Sequence, residues 1–283
     1  MSRAKPTSDL DRSRLLLDRL GWTTTSERLP ELVEQGVREN MTLTSFLDLV
    51  AQSETSFREE KRVKTWLKHS RLPIGKTLED FDFMFNRAID RSKIDMLATC
   101  EFARRRENVL LLGPSGTGKT HIAASLGVKT VQNGFSTAFL EADTLIDMFR
   151  RKDISGSNRR PRHLGCHVLV IDELGFQAFD RRDAHRLFQL VNFRYERAST
   201  IITSNKSITE WPAMLAGDES LATAILDRLL HHCHVLQMDG PSYRLRRLEQ
   251  QIRLEPRPPR TKNDVTPGQA LRASAAPAPS DQA

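Results

Sequence analysis

Gly113-Pro114-Ser115-Gly116-Thr117-Gly118-Lys119-Thr120 decides the reading of this chain. The apolar run Val109 to Leu112 precedes it, and the helix-like segment His121 to Leu126 follows. Strand, glycine-rich loop and helix form the context that a phosphate-binding loop requires. The glycines let backbone N–H groups turn inward around phosphate oxygens, and the helix N-terminus adds the positive end of its dipole. All eight residues are therefore candidate nucleotide contacts. Lys119 is placed to reach the β- and γ-phosphates, and the Thr120 hydroxyl to sit on Mg2+. The reading is nucleoside triphosphate binding.

A second segment, Val168-Leu169-Val170-Ile171-Asp172-Glu173, ends an apolar strand in two adjacent carboxylates. In a buried parallel sheet its C-terminal end emerges beside the phosphate loop. Asp172 then suits Mg2+, directly or through water, and Glu173 suits a general base acting on water. Such a pair favours hydrolysis over transfer to a bound hydroxyl. A third strand, Thr200 to Thr203, ends in Ser204 and Asn205. An amide offers both donor and acceptor to a γ-phosphate and the attacking water, although a simple turn also accounts for these residues.

In Thr223-Ala224-Ile225-Leu226-Asp227-Arg228-Leu229-Leu230, one arginine stands in an apolar helical stretch. Arg228 either pairs locally, with Asp227 or another acid, or reaches the nucleotide of a neighbouring subunit as an arginine finger. The run His231-His232-Cys233-His234 invites a metal reading. Adjacent ligands on one short segment rarely reach one ion, so these residues read as the entry to a strand. In Ser242-Tyr243-Arg244-Leu245-Arg246-Arg247, Arg244 is a candidate nucleotide sensor and Arg246 and Arg247 are candidate DNA phosphate contacts, or all three are solvated charges. The basic stretch from Arg150 to Arg162, around Ser155-Gly156-Ser157, reads equally as a solvated loop or as one that tracks a nucleic-acid backbone.

The three cysteines, Cys100, Cys166 and Cys233, are too far apart in sequence for a Cys-x-x-Cys pair or a disulfide framework. A reducing cytoplasm is the expected compartment. Met1 to Asp11 has no secretory apolar core, and no apolar run approaches the ~20 residues that span a bilayer, so no membrane is expected. The formal net charge of +7 permits a polyanionic partner without specifying one, since clustering matters more than the total.

Residues 1 to 40 are weakly periodic, with Leu15, Leu16, Leu17 and Leu20 marking a short helix. Helical spacing then predicts one helix over Thr42–Gln52 and a second over Phe57–His69. The second carries Arg58, Lys61, Arg62, Lys64 and Lys68, a surface suited to DNA or a partner, or simply solvated. Pro73 and Gly75 end it. Leu78 to Phe83 leads into a helical stretch over Asn86–Arg105, and the aromatics of this connection are placed to cover an adenine ring or equally serve ordinary packing. Short strand-like runs over Val109–Leu112, Thr137–Leu140, Val168–Ile171, Thr200–Thr203 and Val235–Gln237 alternate with helical segments. That pattern predicts an α/β fold with a parallel sheet and crossover helices. The expected organisation is a helical N-terminal domain (1–75), a linker (76–107), the nucleotide-binding core (108–254) and a disordered, proline- and alanine-rich tail (255–283).

Together these motifs resemble the IstB-like helper ATPases of bacterial insertion sequences, within the AAA+ superfamily and close to the DnaC-type helicase loaders. The resemblance spans about Leu43 to Gln250. It rests on the phosphate loop with Thr120-His121-Ile122-Ala123, Val170-Ile171-Asp172-Glu173-Leu174-Gly175, and Leu187 to Asn192 with Arg194-Tyr195-Glu196-Arg197. Thr203-Ser204-Asn205, Ala222 to His232, Ser242-Tyr243-Arg244 and Lys76 to Phe83 complete it. It implies a P-loop NTPase of three layers, with a five-stranded parallel sheet of order 5-1-4-3-2 and an N-terminal helical domain. It also implies ATP and Mg2+ as cofactors, and a homo-oligomer on double-stranded DNA with nucleotide between subunits. Such an oligomer deforms the duplex and recruits or stimulates a partner transposase. By residue match, Lys119 and Thr120 hold phosphate and Mg2+, and Asp172 and Glu173 are the Walker B pair. Asn205 looks like sensor 1, Arg228 like the finger and Arg244 like a second sensor, although the family lacks the separate helical lid of other AAA+ proteins. Ser115 stands where proline is often found. A helicase loader is the alternative with the same engine. A small-molecule kinase lacks support from Glu173, Asn205 and Arg228, and a DNA-binding scaffold with incidental hydrolysis is a third class.

Overall fold

The computed structural model describes residues 8–155 and 162–246. Most of the basic stretch after Lys152, Arg247 and the proline-rich tail lie outside the residues whose side chains are described.

Three helices open the chain: α1 (Asp9–Arg19), α2 (Thr23–Arg38) and α3 (Leu43–Ser70). Ser8 caps α1 by accepting the Asp11 N–H, and Thr42 caps α3 by accepting the Ser45 N–H. The spacing predicted two helices where the structure has one of 28 residues. Ser53 to Ser56, which the two predicted ranges left between them, are helical, and polar side chains among them find partners without interrupting the helix. The Thr55 hydroxyl donates to the Ala51 carbonyl at 2.8 Å. Buried Glu54 accepts the Thr25 hydroxyl at 2.7 Å and Arg58 Nε at 2.6 Å, tying α3 to α2. The left-handed Arg71 (φ 58°) ends α3.

Burial alone would raise the Glu54 pKa, yet the bonds from Thr25 and Arg58 bring it below the ordinary 4.5. A lowered carboxylate pKa contributes stability that is present above its unfolded value and lost as pH falls through its folded value. The α2–α3 contact is therefore expected to weaken progressively below about pH 4.5. Glu54→Gln should flatten that acid dependence in thermal melts followed by circular dichroism, and an unchanged acid profile would contradict this account.

The stretch read as one helix from Asn86 to Arg105 is broken into α4 (Arg91–Ala98) and α5 (Glu101–Arg105). Asp90 caps α4 through the Lys93 N–H at 3.2 Å. Cys100, fully buried and left-handed (φ 61°), turns the chain between the two.

The core is a five-stranded parallel sheet with strand order β2-β3-β4-β1-β5. The strands are β1 (Asn108–Leu112), β2 (Thr137–Glu141), β3 (Val168–Leu174), β4 (Ser199–Ser204) and β5 (Cys233–Gln237). This order, read from the other edge, is the expected 5-1-4-3-2. Strands β1 to β4 are buried on both faces, whereas edge strand β5 leaves Val235 exposed. Val109, Leu111, Val168, Val170 and Ile201 face one cluster with Ile94 and Leu97 of α4 and with Ile122, Leu126 and Val131 of α6 (Lys119–Gln132). Val63, Trp66 and Leu67 of α3 pack against that cluster, so the N-terminal helices are continuous with the core. Leu110, Leu112, Leu169, Ile171 and Ile202 face the opposite cluster. It is filled from α7 (Ala142–Ser155), α8 (Arg181–Arg194), α9 (Trp211–Met214) and α10 (Glu219–Leu230).

Buried Arg194 closes the end of α8. It donates to the Leu164 and Cys166 carbonyls at 2.9 and 3.0 Å, to the Ser199 carbonyl, and to the Thr200 hydroxyl at 3.1 Å. It thereby joins the segment before β3 to the start of β4. Burial pushes the Cys100 thiol up to about 11 and that of Cys233 up to about 12, and raises Cys166 as well. All three are free thiols held in the unreactive protonated form. Among the described residues, no helix is long and apolar enough to cross a membrane. The chain divides into two units, Met1–Tyr243 and Arg244–Ala283.

Candidate nucleotide site

In open parallel sheets, ligands bind beyond the carboxyl ends of the strands. The sequence motifs converge there. The loop after β1 carries Gly113 to Gly118, and α6 begins at Lys119. The Gly113 N–H donates to the Ser204 carbonyl at 3.2 Å, and the Met238 N–H donates to the Leu112 carbonyl at 2.7 Å. The loop is thus anchored by β4 on one side and by the residue after β5 on the other. Two glycines are required: a Cβ on Gly113 would collide with the Met238 carbonyl oxygen, and Gly118 adopts a left-handed backbone (φ 100°) that L side chains rarely take. Pro114 and Ser115 are exposed, which leaves them main-chain roles.

Lys119 is largely buried, and its Nζ donates to the Gly113 and Pro114 carbonyls at 2.7 Å each. The Thr117 hydroxyl donates to the Pro114 carbonyl at 3.0 Å, and the Tyr243 N–H to the Gly116 carbonyl at 3.0 Å. At the next residue the loop meets β3, where the Thr120 hydroxyl donates to Asp172 Oδ1 at 3.0 Å. Asp172 is buried, and the same oxygen accepts the Thr203 hydroxyl at 2.6 Å. That hydroxyl in turn accepts the Glu173 N–H at 2.8 Å.

Glu173 is exposed and adopts a left-handed backbone (φ 59°), where the β3–β4 register shifts between Ile171 and Leu174. A non-glycine residue held in that region costs of order 1 kcal/mol or more and persists where neighbours impose it. Here Thr203 supplies the imposing hydrogen bond. Asn205 is exposed and follows Ser204, which pairs with Leu112 of β1 and Leu174 of β3. Asn205 therefore emerges between the phosphate loop and the Asp172–Glu173 strand end.

The structure brings Gly113 to Thr120, Asp172, Glu173 and Asn205 to one end of the sheet. Arg228 lies on α10 with different company. Its Nε donates to Asn192 Oδ1 at 2.9 Å, its Nη1 donates to the Ala224 carbonyl at 2.9 Å, and its guanidinium lies 5.0 Å from the Phe188 ring centroid. Its partner is an amide of α8 rather than the neighbouring acid Asp227. Arg244 opens the second unit, where its side chain is exposed on a helical turn. Cys233 and His234 enter β5 as the sequence suggested, and His234 Nε2 lies 2.7 Å from Glu107.

One feature was missed in sequence: Thr203, whose hydroxyl links the Asp172 carboxylate to the Glu173 main-chain N–H. Its only signal was a polar residue closing an apolar strand, and a hydroxyl there also suits a turn. The linker, read in sequence as a cover for an adenine ring or as ordinary packing, lies along α6. His121 Nε2 lies 2.6 Å from the Thr77 carbonyl, Ser125 Oγ donates to the Lys76 carbonyl at 3.2 Å, and Lys129 pairs with Glu79 at 2.8 Å. Phe81 stands edge-on to His121 and Phe83, with centroids 5.3 and 4.7 Å apart. These contacts seat residues 76–83 on α6 beside the phosphate loop.

A doubly covered parallel sheet with this loop at the carboxyl end of β1 defines a P-loop nucleotide-binding fold. The chain belongs to the IstB-like ATP binding protein family, which matches residues 16–251. It is 43% identical over 234 residues to a protein of Pseudomonas aeruginosa named for ATP binding in insertion sequence IS21. That match covers 82% of this chain and 88% of the relative. A Geobacillus stearothermophilus protein named likewise for insertion sequence IS5376 is 40% identical, over 78% of this chain and 88% of its own. Among solved structures, AMPPCP-bound DnaA from Aquifex aeolicus shares the fold, with a TM-score of 0.50 and 18% identity. The likeness covers 66% of this chain and 58% of that one.

Proposed function

We propose that this protein is an Mg2+-dependent ATPase that assembles as a homo-oligomer on double-stranded DNA and recruits the transposase of its insertion sequence. The observation that carries the reading is the hydrogen-bonded set Thr120–Asp172–Thr203–Glu173 beside the phosphate loop. Membership of an insertion-sequence ATP-binding family supplies the setting.

The residues present suit the cofactors. A hydroxyl and a buried carboxylate, already 3.0 Å apart, are hard oxygen donors of the kind Mg2+ prefers. The loop glycines leave the main-chain N–H groups open to phosphate, and Lys119 supplies the ammonium. Mg2+, when bound by Thr120 and Asp172, offsets negative charge on the phosphates. Glu173 accepts the proton of the attacking water at a carboxylate oxygen, and Asn205 orients that water through its amide. Arg228 acts on the nucleotide of the adjacent subunit, held ready by Asn192 and Phe188. Arg244 is assigned to sensing nucleotide state. Thr203 fixes both acids, which makes it a positioning residue. Thr203→Val should keep ATP affinity within about threefold and lower kcat by roughly 10- to 100-fold, since one positioned hydrogen bond to a charged group is worth about 1.5–3 kcal/mol. Thr203→Ser should restore most of the rate. An unchanged kcat in the valine variant would refute the positioning role.

Recruitment is tested on immobilised duplex DNA loaded with the protein and ATP. The reading predicts that the transposase of the same element is retained only when protein and ATP are both present. Retention that ignores either component would contradict it.

A further inference from the structure

The turns that follow α8 and α10 meet on the surface and bring together three side chains that the nucleotide site does not use. Glu196, His231 and His232 are all exposed, and each offers one ligand atom within 4.8 Å of the other two. They come from segments 35 residues apart. His231 is the C-cap of α10, His232 leads into β5, and Glu196 sits in a left-handed turn (φ 57°) two residues past α8. Both turns are fixed by the core. The Asn108 N–H donates to the His232 carbonyl at 2.7 Å, and Arg106 Nη1 donates to the Glu196 carbonyl at 3.0 Å. The two imidazoles are already close, with ring centroids 4.1 Å apart.

The neighbouring phenol determines which imidazole nitrogen is available. Tyr195 Oη lies 2.8 Å from His231 Nδ1. With the Tyr195 oxygen accepting the His231 Nδ1–H, the Nε2 lone pair of His231 is left for a ligand. Metal-binding histidines are held in this way, with the second ring nitrogen donating to an oxygen partner that fixes the tautomer.

We propose that Glu196, His231 and His232 form a surface site for a divalent transition metal, and that Zn2+ fits it best. Two imidazoles and one carboxylate are the borderline donors Zn2+ takes, with a fourth position left to water. Tetrahedral bonds of ~2.1 Å place ligand atoms about 3.4 Å apart, and rotation of three exposed side chains closes the gap from 4.8 Å. The site is separate from the Mg2+ ligands Thr120 and Asp172. It ties the end of α8 to the end of α10, the two helices that hold Asn192 and Arg228.

Full-length protein stripped with a chelator is titrated with Zn2+ against a chromophoric competitor, with excess Mg2+ present to fill the nucleotide site. One Zn2+ per chain is expected, with several degrees of gain in thermal midpoint. His232→Ala and Glu196→Gln should each weaken binding at least tenfold and abolish the thermal gain. Tyr195→Phe should weaken it about tenfold, in the range seen when a partner to a ligand is removed. Cys233→Ser should leave it unchanged, and Co2+ in place of Zn2+ should give a visible spectrum without a thiolate charge-transfer band. Failure of the wild type to bind Zn2+ below about 100 μM, or equal binding by the His232→Ala, Glu196→Gln double variant, would overturn the site. Neither result bears on ATP binding.

Discussion

Arg228→Ala is expected to bind ATP within about threefold of the wild-type affinity and to hydrolyse it about 10³-fold more slowly or worse, the range for loss of an arginine finger. The residue does not line the phosphate loop of its own chain. Its Nε and one terminal nitrogen are satisfied by Asn192 and Ala224, and the Phe188 ring lies beneath its guanidinium. That seating fixes the group on the outside of the α8–α10 pair, where a second subunit can meet it. A tenfold loss is ~1.4 kcal/mol, so the expected effect removes about 4 kcal/mol of transition-state stabilisation. A charge acting between subunits has a further signature. Glu173→Gln is expected to be inactive on its own account, because its amide cannot take the water proton. Mixing it with Arg228→Ala places a wild-type finger against a wild-type base at some interfaces and should recover part of the rate. No recovery at any mixing ratio would show that Arg228 acts only within its own chain.

Lys119→Ala is expected to abolish measurable ATP binding, with every ATP-dependent step lost alongside it. The ammonium is the one positive side chain in the loop Gly113 to Thr120, and it lies buried at the mouth formed by the Gly113 and Pro114 carbonyls. The helix N-terminus and loop N–H groups remain in the variant, so the loss isolates the charge itself. Because Lys119 is a helix-starting residue and alanine is the best helix former, α6 should survive the change. Fluorescent-nucleotide titration alongside a thermal melt checks both points. Wild-type nucleotide affinity in the folded variant would refute the role given to this loop.

The sheet was legible in sequence because most of its strands are buried on both faces. Runs such as Val109–Leu112 and Val168–Ile171 have no polar residue to blur them, and the structure extends them by only a few residues. The helices were less legible where polar side chains bond within them or to neighbouring helices. Thr55 and Glu54 fell between the two predicted helices and are internal and tertiary partners of an unbroken α3. Asn86 to Arg105 looked continuous, but the Asp90 cap and left-handed Cys100 divide it. At the site, the residues of Gly113 to Thr120, Asp172 and Glu173 were legible because each motif is contiguous in sequence. Thr203 was not, since its role arises only when β4 lies beside β3. The same limit applies to Glu196, His231 and His232. Looking for metal ligands within His231 to His234 alone finds none with suitable geometry, because the third ligand lies across the α8–α10 pair.

The central claim is that nucleotide at this site controls a grip on duplex DNA. Binding of the full chain to random-sequence double-stranded and single-stranded DNA, with and without ATP and with Lys119→Ala as control, tests it most directly. The account predicts cooperative binding to the duplex that requires ATP and is absent in Lys119→Ala. Preference for single strands would point to a helicase-loading role, and ATP-independent or absent DNA binding would contradict the account outright.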